Sequence, residues 1–213
     1  MLNYNKFYTC AVFSVFLLVF LPVDWVNGEE EGAPVEACVE MKPGHGNESQ
    51  ALSSSPFKTE IPAGNYVLKG ENVKLELRAT NNLIPFKGFL VMAFDEKDGT
   101  KPIGTFTVPS DGKLINCTEG FENAATHKWH NDKQLVAVEW IPPTSEYTGT
   151  VVFRTTYVQS FTVYWVKTES IAVSVVAEIP TTVKPTTTTP SSASQSSSMW
   201  ASLVTISLLA FLK

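Results

Sequence analysis

Long apolar runs, catalytic signatures and charge are all scarce in this 213-residue sequence. No apolar stretch reaches the ~20 residues of a comfortable membrane-spanning helix. Charged residues make up 17 % and the formal net charge is −5. That argues against a nucleic-acid binder, which presents a basic face. There is no G-x-S-x-G, H-E-x-x-H, Walker loop or dinucleotide fingerprint, so nothing local points to an enzyme or a cofactor. Histidine is limited to His45, His127 and His130. His127 and His130 could share a metal on a helix but would point to opposite faces of a strand, and no metal site is expected. No long segment carries a 3.6-residue apolar period, which leaves a parallel α/β fold without crossover helices.

Much of the apolar content that is present lies at the two ends. Phe7 to Leu21 is nearly all apolar, and Val26-Asn27-Gly28 puts small residues at −3 and −1 of a cleavage after Gly28. This is the pattern of a secretory signal peptide over residues 1–28. At the other end, Met199 to Leu212 is apolar and Lys213 closes the chain without a basic cluster. Residues 179–198 hold 6 Thr, 6 Ser and 3 Pro, a composition that cannot bury a core and reads as a stalk that carries O-linked sugars. Small residues, a polar spacer and a short apolar tail form the signal for a glycosylphosphatidylinositol (GPI) anchor. Ser191 is the expected attachment point, and a short single-pass span over 199–213 is the alternative.

Cys10 falls within the leader. Cys38 and Cys117 remain, an even pair in a chain bound for an oxidising compartment. A bridge would close a loop of about 80 residues and stabilise by ~4–5 kcal/mol on the chain-entropy estimate. Two free buried thiols are the alternative. Asn47-Glu48-Ser49 and Asn116-Cys117-Thr118 are N-glycosylation sequons. At Asn116, early pairing of its neighbour Cys117 would hinder transfer of the sugar.

Residues 29–178 are expected to fold as one domain of short strands. Val73 to Thr80 alternates apolar and polar, as does Gln134 to Trp140, while Phe89 to Phe94 is apolar throughout, as in a strand covered on both faces. Val151, Phe153, Thr155 and Tyr157 share one face, and Phe161 to Val166 and Ile171 to Val176 complete the set. Turn signals at Gly70, Asp98-Gly99, Asp111-Gly112, Pro142-Pro143 and Gly149 separate them. Seven to nine short strands so spaced predict an all-β, immunoglobulin-like antiparallel sandwich with Trp140, Phe153 and Trp165 in its core. Pro102 to Phe106 and Pro43-Gly44-His45-Gly46 read first as tight turns. The second reading is that they are ligand-touching loops at one end of the sandwich.

The order of several short motifs resembles the reeler (reelin N-terminal-like) domain. These are Cys38 to Gly46; Gly88-Phe89-Leu90 with Ala93; Pro102 to Phe106; Cys117; Thr126-His127; Lys133; Trp140 to Pro143; Gly149 to Phe153 with Thr155-Thr156; and Tyr164-Trp165-Val166. The resemblance implies an immunoglobulin-like sandwich and a Cys38–Cys117 bridge. Single-domain chains of this kind are similar to insect defense proteins that are secreted and associated with responses to bacteria. The resemblance supplies no catalytic residues, and with no haem-binding or multi-span region downstream it carries over no electron-transfer role.

The resulting expectation is a non-enzymatic extracellular defense module without a cofactor, held at the cell surface by its lipid anchor and recognising a microbial glycolipid or polysaccharide. Because the chain is acidic, binding to anionic surfaces needs a local basic or aromatic patch. Lys113, Lys128, Trp129 and Lys133 are the candidates. The alternative is an adhesion or structural module that binds a host protein or matrix.

Overall fold

Alternating side chains along short strands build two sheets, and what those sheets leave uncovered positions the site. The computed structural model describes residues 31–81 and 83–180. The expected leader over 1–28 with Cys10, the expected stalk beyond residue 180, Ser191 as the expected anchor site and the expected tail over 199–213 lie outside the described residues. Within them the strands are β1 (Phe57–Glu60), β2 (Tyr66–Leu68), β3 (Val73–Ala79), β4 (Gly88–Asp95), β5 (Thr105–Phe106), β6 (Gly112–Ile115), β7 (Ala124–His127), β8 (Leu135–Ile141), β9 (Gly149–Ser160), β10 (Val163–Glu169) and β11 (Val173–Val176). One sheet has the order β1-β3-β8-β5. The other runs β2-β11-β9-β4-β7-β6, and β10 also pairs with the long β9.

This is the expected all-β sandwich, with two differences. Eleven strands replace seven to nine, because β1, β2, β5, β6 and β7 have only two to four residues each, too few to display a period. The pairing is also not wholly antiparallel, since β11 runs parallel to β2.

The main core lies between the sheets. Val73, Leu75 and Leu77 of β3 and Val136, Val138 and Trp140 of β8 face Phe89, Val91 and Ala93 of β4 and Val151, Phe153 and Tyr157 of β9. Trp165 packs in the same core. One polar link crosses it: the Thr59 hydroxyl lies 2.7 Å from that of Thr155 and 2.9 Å from the Tyr157 hydroxyl, so these buried groups satisfy one another. Pro102 to Phe106 is structural. Gly104 has φ +68°, and a Cβ there would lie 2.5 Å from the Trp140 indole nitrogen and the Ile141 carbonyl oxygen. That close approach lets Trp140 Nε1 donate to the Ile103 carbonyl at 2.8 Å.

A second, smaller core sits on the opposite face of β4. Leu90, Met92 and Phe94 point away from the sandwich and are covered by Ala37, Cys38 and Met41 of the segment that precedes β1. The run Phe89 to Phe94 is therefore covered on both faces, as its composition requires.

Candidate functional site

The covering segment is fastened at four points. The Ala33 N–H donates to Thr126 Oγ1 at 2.9 Å, and Cys38 is bonded to Cys117 across 79 residues, with 5.4 Å between Cα atoms. Thr156 Oγ1 donates to the Met41 carbonyl at 2.6 Å, and the Tyr164 hydroxyl donates to the Asn47 carbonyl. Between the last two fastenings the chain swings out through Pro43-Gly44-His45-Gly46. A groove of about 540 Å³ opens beneath it. Gly88, Phe89 and Leu90 of β4, Thr156 and Val158 of β9 and His127 of β7 are on its sheet side; Pro34, Ala37, Met41, Pro43, Gly44 and Phe161 are on its covering side.

All three histidines line this groove. His127 is 9 % exposed. Its Nδ1 lies 3.2 Å from the Phe89 N–H, 3.3 Å from the Phe89 carbonyl oxygen and 3.3 Å from Thr126 Oγ1, so that nitrogen is engaged whichever tautomer the ring adopts. Burial lowers its pKa from 6.5 to about 4, with the positive charges of Lys133 and Lys113 acting in the same direction. The ring is therefore neutral at physiological pH. Gly88 makes room for it, since a Cβ there would lie 2.9 Å from His127 Cε1. His45 stacks on Phe161, ring centroids 4.4 Å apart, and its Nδ1 is buried without a hydrogen-bond partner. His130 is exposed at the rim. Among the described residues no three His, Cys, Asp or Glu side chains are grouped to hold a metal ion.

The four ligand candidates separate. Lys128 and Trp129 are exposed in the loop after β7, with the ammonium 5.3 Å from the indole centroid. Lys113 is half-buried on β6. Lys133 is not a surface cation: its side chain is 2 % exposed. Its Nζ donates to the carbonyls of Lys87 (3.2 Å), Trp129 (2.6 Å) and Asn131 (2.9 Å) and to Asn131 Oδ1 (2.8 Å), and pairs with Asp111 at 3.2 Å. A buried ammonium needs such a cage. Lys133 thus supports the loop that presents Trp129 and has no donor left for a ligand. Asn47 is half-exposed, its Nδ2 donating to the His45 carbonyl at 3.2 Å. Asn116 is exposed, and its Oδ1 accepts the Glu122 N–H at 2.8 Å.

The groove was not apparent from the sequence, because its walls come from four segments far apart along the chain. The signals that could have found it are the Pro-Gly-His-Gly loop and the convergence of every histidine.

The reeler domain family profile matches residues 36–181. "Putative defense protein Hdd11" of Hyphantria cunea is 33 % identical over 172 residues, covering 78 % of this chain and all of that one. "Putative defense protein" of Bombyx mori is 34 % identical over 179 residues, covering 81 % and 99 %. "Putative ferric-chelate reductase 1 homolog" of Drosophila melanogaster is 33 % identical over 150 residues, covering 68 % of this chain but only 23 % of that protein.

Proposed function

The chain belongs to the reeler domain family, and from that premise we propose that it is a non-enzymatic recognition protein of an extracellular defense response that binds components of microbial surfaces. The observation that carries this reading is the match to the defense-named relatives over essentially their whole length. The likeness to the reductase homologue takes in less than a quarter of that protein, so its activity forms no part of the proposal. The groove and the neighbouring loop with Lys128 and Trp129 form the recognition face. A Ser/Thr/Pro stalk with a GPI anchor displays that face at the cell surface, and an indole stacked with an ammonium suits a polar, sugar-bearing surface.

Two experiments test the proposal. The purified protein is incubated with whole bacteria, lipopolysaccharide and peptidoglycan and recovered by sedimentation. Retention on at least one is expected, and retention on none refutes microbial recognition. A stoichiometric host protein recovered by cross-linking would favour the adhesion reading instead. Treatment of intact expressing cells with phosphatidylinositol-specific phospholipase C should release the protein, and retention in the membrane refutes the lipid anchor.

A further inference from the structure

The lining of the groove is chemically one-sided. The chain has 21 Asp and Glu against 16 Lys and Arg, yet no carboxylate is among the described residues that line the groove, whereas Lys87 and all three histidines are. Along its length the surface is apolar, from Leu90 and Val158 on the sheet to Met41 on the cover and Phe161 in the turn between β9 and β10. Two ring nitrogens there have no hydrogen bond to the described protein. One is His45 Nδ1, which is buried. The other is His127 Nε2, on a ring whose Nδ1 is occupied by Phe89. A volume of about 540 Å³ lies within the ~300–1,000 Å³ range of small-molecule sites. The four fastenings of the cover make the cavity preformed, which lowers the ordering cost of filling it.

We propose that this groove holds a single-chain anionic amphiphile. The apolar tail lies along Leu90, Met41 and Val158, and a carboxylate or phosphate head sits at the mouth against Lys87 and the imidazole groups. Burying the tail removes apolar surface from water. The head meets Lys87 and the imidazole nitrogens, and no carboxylate is among the described residues that line the groove itself. Asp132, exposed and 3.8 Å from Lys87 Nζ, is the acid beside that cation, and the head replaces it there, so the two ends of the ligand match the two chemistries of the site. This deepens the recognition reading by naming the ligand chemistry, and it rests on that reading only for where the ligand comes from.

The test is a calorimetric titration of the full chain, produced in a secretory host, with dodecanoate as the probe. Saturable one-to-one binding is expected. Octanoate, four methylenes shorter, should bind about 200-fold more weakly, from about 0.8 kcal/mol per methylene. Dodecyl phosphate should bind comparably to dodecanoate, because the site reads a charge and acceptors. Dodecyltrimethylammonium, with the same tail and a cationic head, should bind roughly tenfold or more weakly. Equal affinity for the two head charges overturns the assignment of the mouth. Val158→Trp fills the groove and should abolish binding. If that variant does not fold, Gly44→Trp replaces it, since a Cβ at Gly44 meets no atom within 4 Å. Undiminished binding in a folded, groove-filled variant overturns the proposal, as does absence of binding at about 1 mM probe. Failure with dodecanoate leaves the bacterial sedimentation result standing, so the two readings fail separately.

Discussion

Burial of His127 makes the stability of this domain fall as the pH is lowered, by an amount that can be worked out. The ring is 9 % exposed, and burial lowers its pKa from 6.5 to about 4. The native state therefore binds the proton less readily than the unfolded chain. The resulting stability is fully present above pH 6.5, is lost as the pH falls from 6.5 towards 4, and changes no further below that. The difference of about 2.5 units, at ~1.36 kcal/mol per unit, gives a loss near 3 kcal/mol by pH 4 and about 1.4 kcal/mol at pH 5.5. With a urea slope of about 2 kcal/mol per molar, the midpoint should drop by about 1.5 M between pH 7 and pH 4.

Other groups also titrate, so the comparison is with His127→Asn, whose side-chain oxygen can still accept the Phe89 N–H. Glu60 is held below the usual carboxylate range by its hydrogen bonds to Lys58 and Arg78, and Asp98 by its hydrogen bonds to Thr100. Both lose their contribution in acid equally in the two proteins. The His127→Asn variant should be the less stable at pH 7, and its deficit should shrink by about 3 kcal/mol at pH 4. A deficit that stays constant with pH refutes the argument, as does an NMR titration that places the ring midpoint near its ordinary value.

Replacing both Cys38 and Cys117 with serine removes a closure of 79 residues and should cost about 4–5 kcal/mol in urea unfolding. Amide exchange at Ala37 and Met41 should quicken with it, because the cover loses one of its fastenings. Lys133→Met leaves Asp111 and three carbonyl oxygens without their cation and should cost about 3–5 kcal/mol, with exchange over 129–132 accelerated most. If Cys117 pairing competes with sugar transfer, Cys117→Ser should raise glycan occupancy at Asn116, read as a mobility shift reversed by a glycosidase. Unchanged occupancy removes that competition.

Side-chain alternation was sufficient to identify the sandwich and its centre. Val73 to Ala79 and Leu135 to Ile141 each bury one face as their sequence requires. Gly149 to Ser160 buries Val151, Phe153, Thr155 and Tyr157 on its core face and Thr156 beneath the cover, and Trp140, Phe153 and Trp165 meet in one core. The short edge strands were not legible, because two to four residues cannot establish a period. Nor was the parallel β2–β11 pair, which depends on where the chain returns rather than on which residues it carries. The two-sided burial of β4 was readable from Phe89 to Phe94. What covers its outer face was not, because Ala37 and Met41 lie in a segment with no apolar period of its own. The burial of Lys133, a ligand candidate in the sequence, was not legible for a related reason. A lysine between polar loop residues looks exposed in sequence, and only the converging carbonyl oxygens reveal that it is caged.

The groove follows from how that cover is built. Strand β4 presents an apolar outer face from Leu90 to Phe94, and the covering segment packs on it only as far as Met41 before turning away at Pro43. Beyond that point the sheet's apolar surface continues through Val158, while the cover carries Ala37 and Gly44, which are too small to close the gap. A larger side chain at Ala37, itself 8 % exposed, tests whether the space is merely a packing defect. Filling an empty apolar cavity commonly stabilises by about 0.5–2 kcal/mol. Ala37→Leu should therefore raise the urea midpoint, and because its added atoms occupy the path proposed for the ligand tail, the same variant should lose dodecanoate binding. Stabilisation together with lost binding would show that the domain keeps its cavity at the expense of stability, as expected of a site that must stay open. Stabilisation with binding unchanged would mean the tail does not run beneath Ala37, and destabilisation would mean the cover is already packed to its limit there and the groove narrower than its lining implies.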